Sequence, residues 1–147
     1  MNEKLLANIL AIMLNSSLSE SFAEAVLNRL VSFGYELKED DGLVICFAIQ
    51  KIENHIKTTC NTDTIPDGLF HVAVDMVCGE FFLGKSRSGT LELSNLDLNG
   101  AITAISEGDT SVQFATDVTD EKKFNALLEH LLFGREGDLV CYRKLRW

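Results

Sequence analysis

Between Ile65 and Phe82 the apolar positions fall on two helical stripes rather than one. Leu69, Val72, Ala73, Met76 and Leu83 make the first stripe, and Phe70, Val74, Val77 and Phe81 make a second, rotated away from it. Pro66 and Asp67 suit the first turn of this helix, because proline has no N–H to lose there and a carboxylate meets the positive end of the dipole. A helix on the rim of a small domain shows a single stripe. Two stripes mean a helix central to its own bundle, or one that also meets a partner outside its chain.

The flanking pattern is helical as well. Residues from about Glu3 to Leu14 read as a helix, followed by the polar break Asn15-Ser16-Ser17. Ser21 with Glu24 forms a capping box ahead of the stripe Phe22, Ala25, Val26, Leu30 and Phe33, and Gly34 is a natural stop. After the charged connector Lys38-Glu39-Asp40-Asp41-Gly42, in which Asp40 or Asp41 can cap, a helix is expected over about 43–59. Ile45, Ile49, Ile52 and Ile56 form its buried face. The short turn Asn61-Thr62-Asp63-Thr64 then makes this helix antiparallel to the next, over 66–83.

Beyond Leu83 the sequence turns polar and irregular, and residues 84–100 read as a flexible loop opening with Gly84-Lys85-Ser86-Arg87-Ser88-Gly89. Ala101–Ser106 and Ser111–Ala115 are expected as two short strands of a β-hairpin arm about the turn Glu107, Gly108, Asp109, Thr110. Thr119 caps a last helix over about 120–133 with the stripe Phe124, Leu127, Leu128, Leu131 and Leu132, and Gly134 stops it. Residues 139–147 read as an extended tail. The expected fold class is therefore mainly α, a small helical bundle with a short β-hairpin arm over about 101–115. The domain is a single one over 1–147, with an N-terminal helical extension (1–38) and a basic C-terminal tail (135–147).

Length and charge narrow the function classes. A chain of 147 residues can bury about two-thirds of its unfolded surface, enough for a core without staples. No run approaches the ~18 apolar residues of a membrane span, and Glu3 in the first turn argues against a secretory signal, so the chain is expected in the cytosol when made. The net charge of −9 disfavours general nucleic-acid binding. From Arg135 onward, four positive residues face two negative ones, leaving a net −11 on the rest. Such a basic, Trp147-terminated tail can dock on a neighbouring copy or fold back on its own domain. Cys46, Cys60, Cys78 and Cys141 show no metal-like or disulfide-like spacing.

Catalytic candidates are few. His71 and Asp75 share a helix face at i, i+4 with Glu80 on the same helix, a start for a metal-dependent enzyme that lacks further signalled ligands. No metal or cofactor is expected. Glu80 sits among Val77, Cys78, Phe81 and Phe82, where a tail arginine, Arg143 or Arg146, would be a suitable partner. Residues 79–86, GEFFLGKS, literally match GxxxxGKS. The spacers are bulky and the context is helical, so backbone N–H groups could not wrap a phosphate.

The pieces, in order, resemble the head–tail connector (head-completion or adaptor) proteins of tailed bacteriophages and prophages of Gram-positive bacteria. The residues that carry this are Phe33-Gly34-Tyr35, Cys60-Asn61 with Ile65-Pro66-Asp67-Gly68-Leu69, and residues 72–81 (VAVDMVCGEF). Glu107-Gly108-Asp109-Thr110-Ser111-Val112 and Tyr142-Arg143-Lys144-Leu145-Arg146-Trp147 complete the set. No single motif is diagnostic, and the residues before Phe33 carry none. The resemblance implies a non-enzymatic subunit that forms a homo-oligomeric ring under the portal protein in the virion neck, assembled in the host cytoplasm. That ring would extend the DNA channel, touch DNA only in transit, and dock a downstream connector or tail-completion protein. Phe70, Val74, Val77, Glu80, Phe81, Tyr142, Arg143, Lys144, Arg146 and Trp147 are the expected interface residues. Glu107, Gly108, Asp109 and Thr110 are the expected tip of an arm that orders on assembly. The alternatives are another non-enzymatic oligomeric phage adaptor or tail-completion protein, and a small metal-dependent enzyme built on His71, Asp75 and Glu80.

Overall fold

The helix with two apolar stripes lies at the centre of the fold in a computed structural model that describes residues 2–12, 20–101 and 119–145. The described elements are α1 (Asn2–Ile12), α2 (Glu20–Ser32), α3 (Asp41–Cys60), α4 (Phe70–Arg87), α5 (Asp120–Phe133) and α6 (Glu136–Cys141). Two 3-10 turns, Asp67–Leu69 and Leu93–Asn95, join them, and there is no strand among the described residues. None of the described helices is long and apolar enough to cross a membrane.

Helix α4 packs against α2, α3 and α5 at once, which is why it needs apolar side chains nearly all round. Val72, Ala73 and Met76 of one stripe and Val74, Val77 and Phe81 of the other are all buried in their own chain. The first of the two expectations for this helix, a central position, therefore accounts for both stripes. Its pairing with α3 is antiparallel: Asp41 at the start of α3 meets Lys85 near the end of α4, and Lys51 in mid-helix meets Glu80.

The local signals explain most boundaries. Gly34, at φ +84°, ends α2 and leaves room for the backbone of Asp97, whose N–H donates to the Phe33 carbonyl at 2.8 Å. Asn61 adopts the left-handed conformation after α3 (φ 56°, ψ 47°), which asparagine tolerates better than most residues, and its N–H returns to the Lys57 carbonyl. Pro66 precedes the 3-10 turn that leads into α4. The Thr119 hydroxyl accepts from the Lys122 N–H as expected of a cap. Ser21 falls inside the first turn of α2 rather than before it, so the expected capping box is displaced from the helix start.

Three expectations are corrected. Helix α4 does not stop at Leu83 but runs to Arg87, so the first part of the expected flexible loop 84–100 is helix. The rest of that segment is anchored, with Leu96 and Leu98 buried and residues 98–101 helical. Ala101 thus belongs to a helical turn and not to a strand; the remainder of the hairpin arm lies outside the described residues. The tail is helical over Glu136–Cys141 rather than extended, because Leu139 is buried against the end of α3.

Helices α1 and α2 are part of the one core rather than an extension of it: Leu5, Ile9, Phe22, Val26 and Leu30 join the same buried cluster as α3, α4 and α5. An aromatic chain runs through that cluster. Tyr35 stacks edge-on against Phe81 (5.3 Å) and Phe82 (5.9 Å), and Phe82 in turn meets Phe33 (5.8 Å) and Phe124 (6.3 Å). Each such buried ring contributes about 2–3 kcal/mol of hydrophobic stabilisation, and its edge-to-face geometry somewhat more.

Candidate functional site

The groove between α2 and α4 holds the histidine–carboxylate pair picked out in the sequence. Asn28, Arg29, Ser32, His71, Val74 and Asp75 line an open depression of about 520 Å³. Within it the Arg29 Nε donates to Asp75 Oδ1 at 2.9 Å, and the guanidinium lies 4.6 Å from the centre of the Phe33 ring. Asp75 is therefore neutralised by arginine rather than offered beside His71. Nine residues on from His71, Glu80 lies on the opposite side of the helix and pairs with Lys51 at 2.7 Å. The expected link from Glu80 to Arg143 is not made, since Lys51 on α3 reaches it first, and Arg146 lies outside the described residues. Among the described residues no group of three or more His, Cys, Asp or Glu side chains could hold a metal ion. The GxxxxGKS match is continuous helix from Gly79 to Ser86, without the free N–H groups a phosphate cradle needs.

The most unusual chemistry lies elsewhere, where the 35–40 connector meets α3 and the end of α4. Asp41 is fully buried and its carboxylate takes three donors. The Tyr35 hydroxyl (2.8 Å) and the Lys38 N–H (2.9 Å) reach Oδ2, and the Lys85 ammonium (3.0 Å) reaches Oδ1. The Lys85 side chain is itself only 13 % exposed, so this is an ion pair almost wholly removed from water. Burial, with the adjacent Asp41 carboxylate, pushes the Tyr35 phenol well above its ordinary range. All four polar groups are satisfied, which makes the cluster a clamp between the connector and the two longest helices. In the sequence the cluster is hidden, because Asp41 stands in a run of charges that looks solvated. The available signal was register: Asp41 precedes Ile45 by four residues and Lys85 follows Phe81 by four, so each lies on an apolar stripe.

The expected interface residues divide. Val74, Val77 and Phe81 are covered by helices of their own chain, a correction to their assignment as a surface for another subunit. Phe70 is half-buried against Phe22, ring centres 5.5 Å apart. Tyr142, Arg143 and Lys144 are exposed on a tail that folds back on its own domain. The Lys144 N–H donates to the Cys60 carbonyl at 2.8 Å, Asn61 Nδ2 donates to the Lys144 carbonyl at 3.1 Å, and Tyr142 packs over Gly68 with no room for a Cβ. Arg146, Trp147 and the arm tip Glu107, Gly108, Asp109 and Thr110 lie outside the described residues.

Two exposed apolar places lie near the ends of α3, and of their residues only Tyr142 is among the expected interface. Leu43 (57 % exposed) and Phe47 (67 %) are one turn apart on the outer face of α3. Val140, Tyr142 and Leu145 (71 %) are exposed beyond the other end of that helix. Compared with protein-family models, with characterised proteins and with solved structures, the chain matches none.

Proposed function

We propose that this chain is a structural, non-enzymatic subunit of a phage neck, a head–tail connector that forms a ring beneath the portal and presents a docking face to the next component. The sequence resemblance, an ordered set of short motifs spread over nearly the whole chain after residue 33, is the origin of the reading. The observation that carries it is the separation of two unlike apolar surfaces on a fully packed helical core. Ring assembly is heterologous, so each subunit needs two different patches that complement one another. Leu43 with Phe47 and Val140 with Leu145 supply a patch near each end of α3. An acidic body suits a channel wall along which DNA slides without being gripped, the carboxylates facing the lumen.

The test is to mix the purified protein with the portal ring of the phage or prophage that encodes it, and to follow both the mixture and the protein alone by native mass spectrometry. A ring on the portal is the expected result. A ring that ignores the portal would move the reading to another phage adaptor or tail-completion protein. A monomer indifferent to the portal would overturn it.

A further inference from the structure

The two exposed apolar patches differ in charge as well as in place. Leu43 borders a groove of about 490 Å³ between α1 and α3 whose rim carries Glu39 and Asp40. Glu39 is bridged to Lys4, and Asp40 makes no ion pair among the described residues. At the other end of α3, Tyr142 and Leu145 flank Arg143 and Lys144, whose side chains likewise make no ion pair among the described residues. One patch is thus apolar with an acidic edge, and the other is apolar with unpaired basic groups.

Geometry decides whether they can meet within one molecule. At roughly 1.5 Å per residue, about 25 Å separates Leu43 from Cys60 along α3. Lys144 is fixed to the Cys60 carbonyl and to Asn61, so the basic patch cannot at the same time lie against Leu43 of its own chain. We infer that the Leu43–Phe47 face of α3 is a docking site for the C-terminal segment Tyr142–Leu145 of a second copy of this chain. Phe47 and Leu43 would receive Tyr142 and Leu145, while Arg143 and Lys144 would meet Asp40 and Glu39. Such a contact joins one end of a subunit to the opposite end of the next, and it repeats from copy to copy. It takes up the ring part of the proposed function and rests on that reading only for the closure into a ring.

Complementary variants test it without any portal. Phe47→Asp spoils the receiving patch and Arg143→Glu/Lys144→Glu spoils the inserted one; all three positions are exposed, so the fold is kept, as matching circular dichroism spectra would confirm. By sedimentation velocity over a concentration series, the wild type is expected to self-associate and each variant to associate at least ~30-fold more weakly, the effect of losing a central aromatic or a charge-matched anchor. Mixing the two variants should give a 1:1 dimer and nothing larger, because one intact patch of each kind remains. A mixture that stays monomeric, a variant that assembles like the wild type, or a monomeric wild type would each overturn the contact. If the mixed dimer forms but the portal is not bound, the contact stands and the connector reading falls. If the portal is bound but neither the wild type nor the mixed variants associate in its absence, the contact alone falls.

Discussion

A buried carboxylate is costly unless its charge and both its oxygens are answered, and at Asp41 they are. Removing one partner of such a pair leaves the other as an uncompensated buried charge, which costs about 3–5 kcal/mol, whereas replacing both by apolar groups of similar size costs far less. Asp41→Leu is therefore expected to lose about 3–5 kcal/mol, since it strands the Lys85 ammonium, the Tyr35 hydroxyl and the Lys38 N–H together. Lys85→Met leaves the carboxylate two neutral donors and is expected to cost less, about 2–3 kcal/mol. The double change Asp41→Leu/Lys85→Met should cost clearly less than the sum of the single ones. Urea unfolding of the four proteins measures this. Additive losses would mean that the ammonium and the carboxylate are not coupled and that the cluster is merely three separate hydrogen bonds.

Two glycines of α4 separate helix propensity from packing. Gly79 faces α5 so closely that an added Cβ would lie 2.9 Å from Leu131 Cβ and 2.9 Å from Leu132 Cγ, while a Cβ on Gly84 would meet nothing within 4 Å. In a helix interior, alanine is favoured over glycine by about 1 kcal/mol. Gly84→Ala is expected to stabilise by most of that amount. At Gly79 the gain is overtaken by overpacking of about 1–3 kcal/mol, so Gly79→Ala should destabilise by about 1 kcal/mol and Gly79→Val by more. Thermal unfolding of the pair should shift in opposite directions, and a stabilised Gly79→Ala would show that α4 and α5 can move apart freely. The same helix shows what was legible in the sequence. Periodicity located α3, α4 and α5 because their stripes are long, and it named their buried residues. The end of α4 was misread because Gly84 and a polar run look like a loop, whereas Lys85 is tied to Asp41 and holds the last turn in place. Helix α6 has six residues and a single buried apolar one, Leu139, too few for any period to emerge. Of the candidate site, the basic tail was legible as composition. Leu43 and Phe47 were not, because an exposed apolar pair on a helix differs from a core pair only once the neighbours are known.

At the scale of the fold, the buried ionisable groups whose affinities are shifted, among the described residues, all hold their protons more tightly when folded. Burial raises the thiols of Cys46, Cys60 and Cys78 above their ordinary 9.0, the last also through the nearby Asp75 carboxylate. The Tyr35 phenol is raised above its ordinary 10.0. Each thiol sits in the core with its Sγ directed to a carbonyl on another helix, Ile9, Leu139 or Val26, a contact that favours the protonated form. The sign follows directly. Above their ordinary values the unfolded chain releases these protons and the folded one does not, so the stability they contribute is fully present below about pH 8.5 and is lost as pH rises. Each group that has crossed its unfolded value steepens the fall by about 1.4 kcal/mol per pH unit until its folded value is reached. Urea unfolding is expected to be level in this respect from pH 6 to about 8.5, to fall above pH 9 as the thiols titrate in the unfolded chain, and to fall faster above pH 10 when Tyr35 joins them. Tyr35→Phe separates the two steps. It removes one donor from Asp41 and so starts less stable at neutral pH, by about 1–2 kcal/mol, but it has no phenol to ionise. Its curve should therefore run parallel to the wild type up to about pH 9.5 and converge on it above pH 10. Curves that stay parallel to pH 11 would show that Tyr35 ionises as readily in the folded chain as in the unfolded one, and that its hydroxyl is not locked between Asp41 and the Phe81–Phe82 edge.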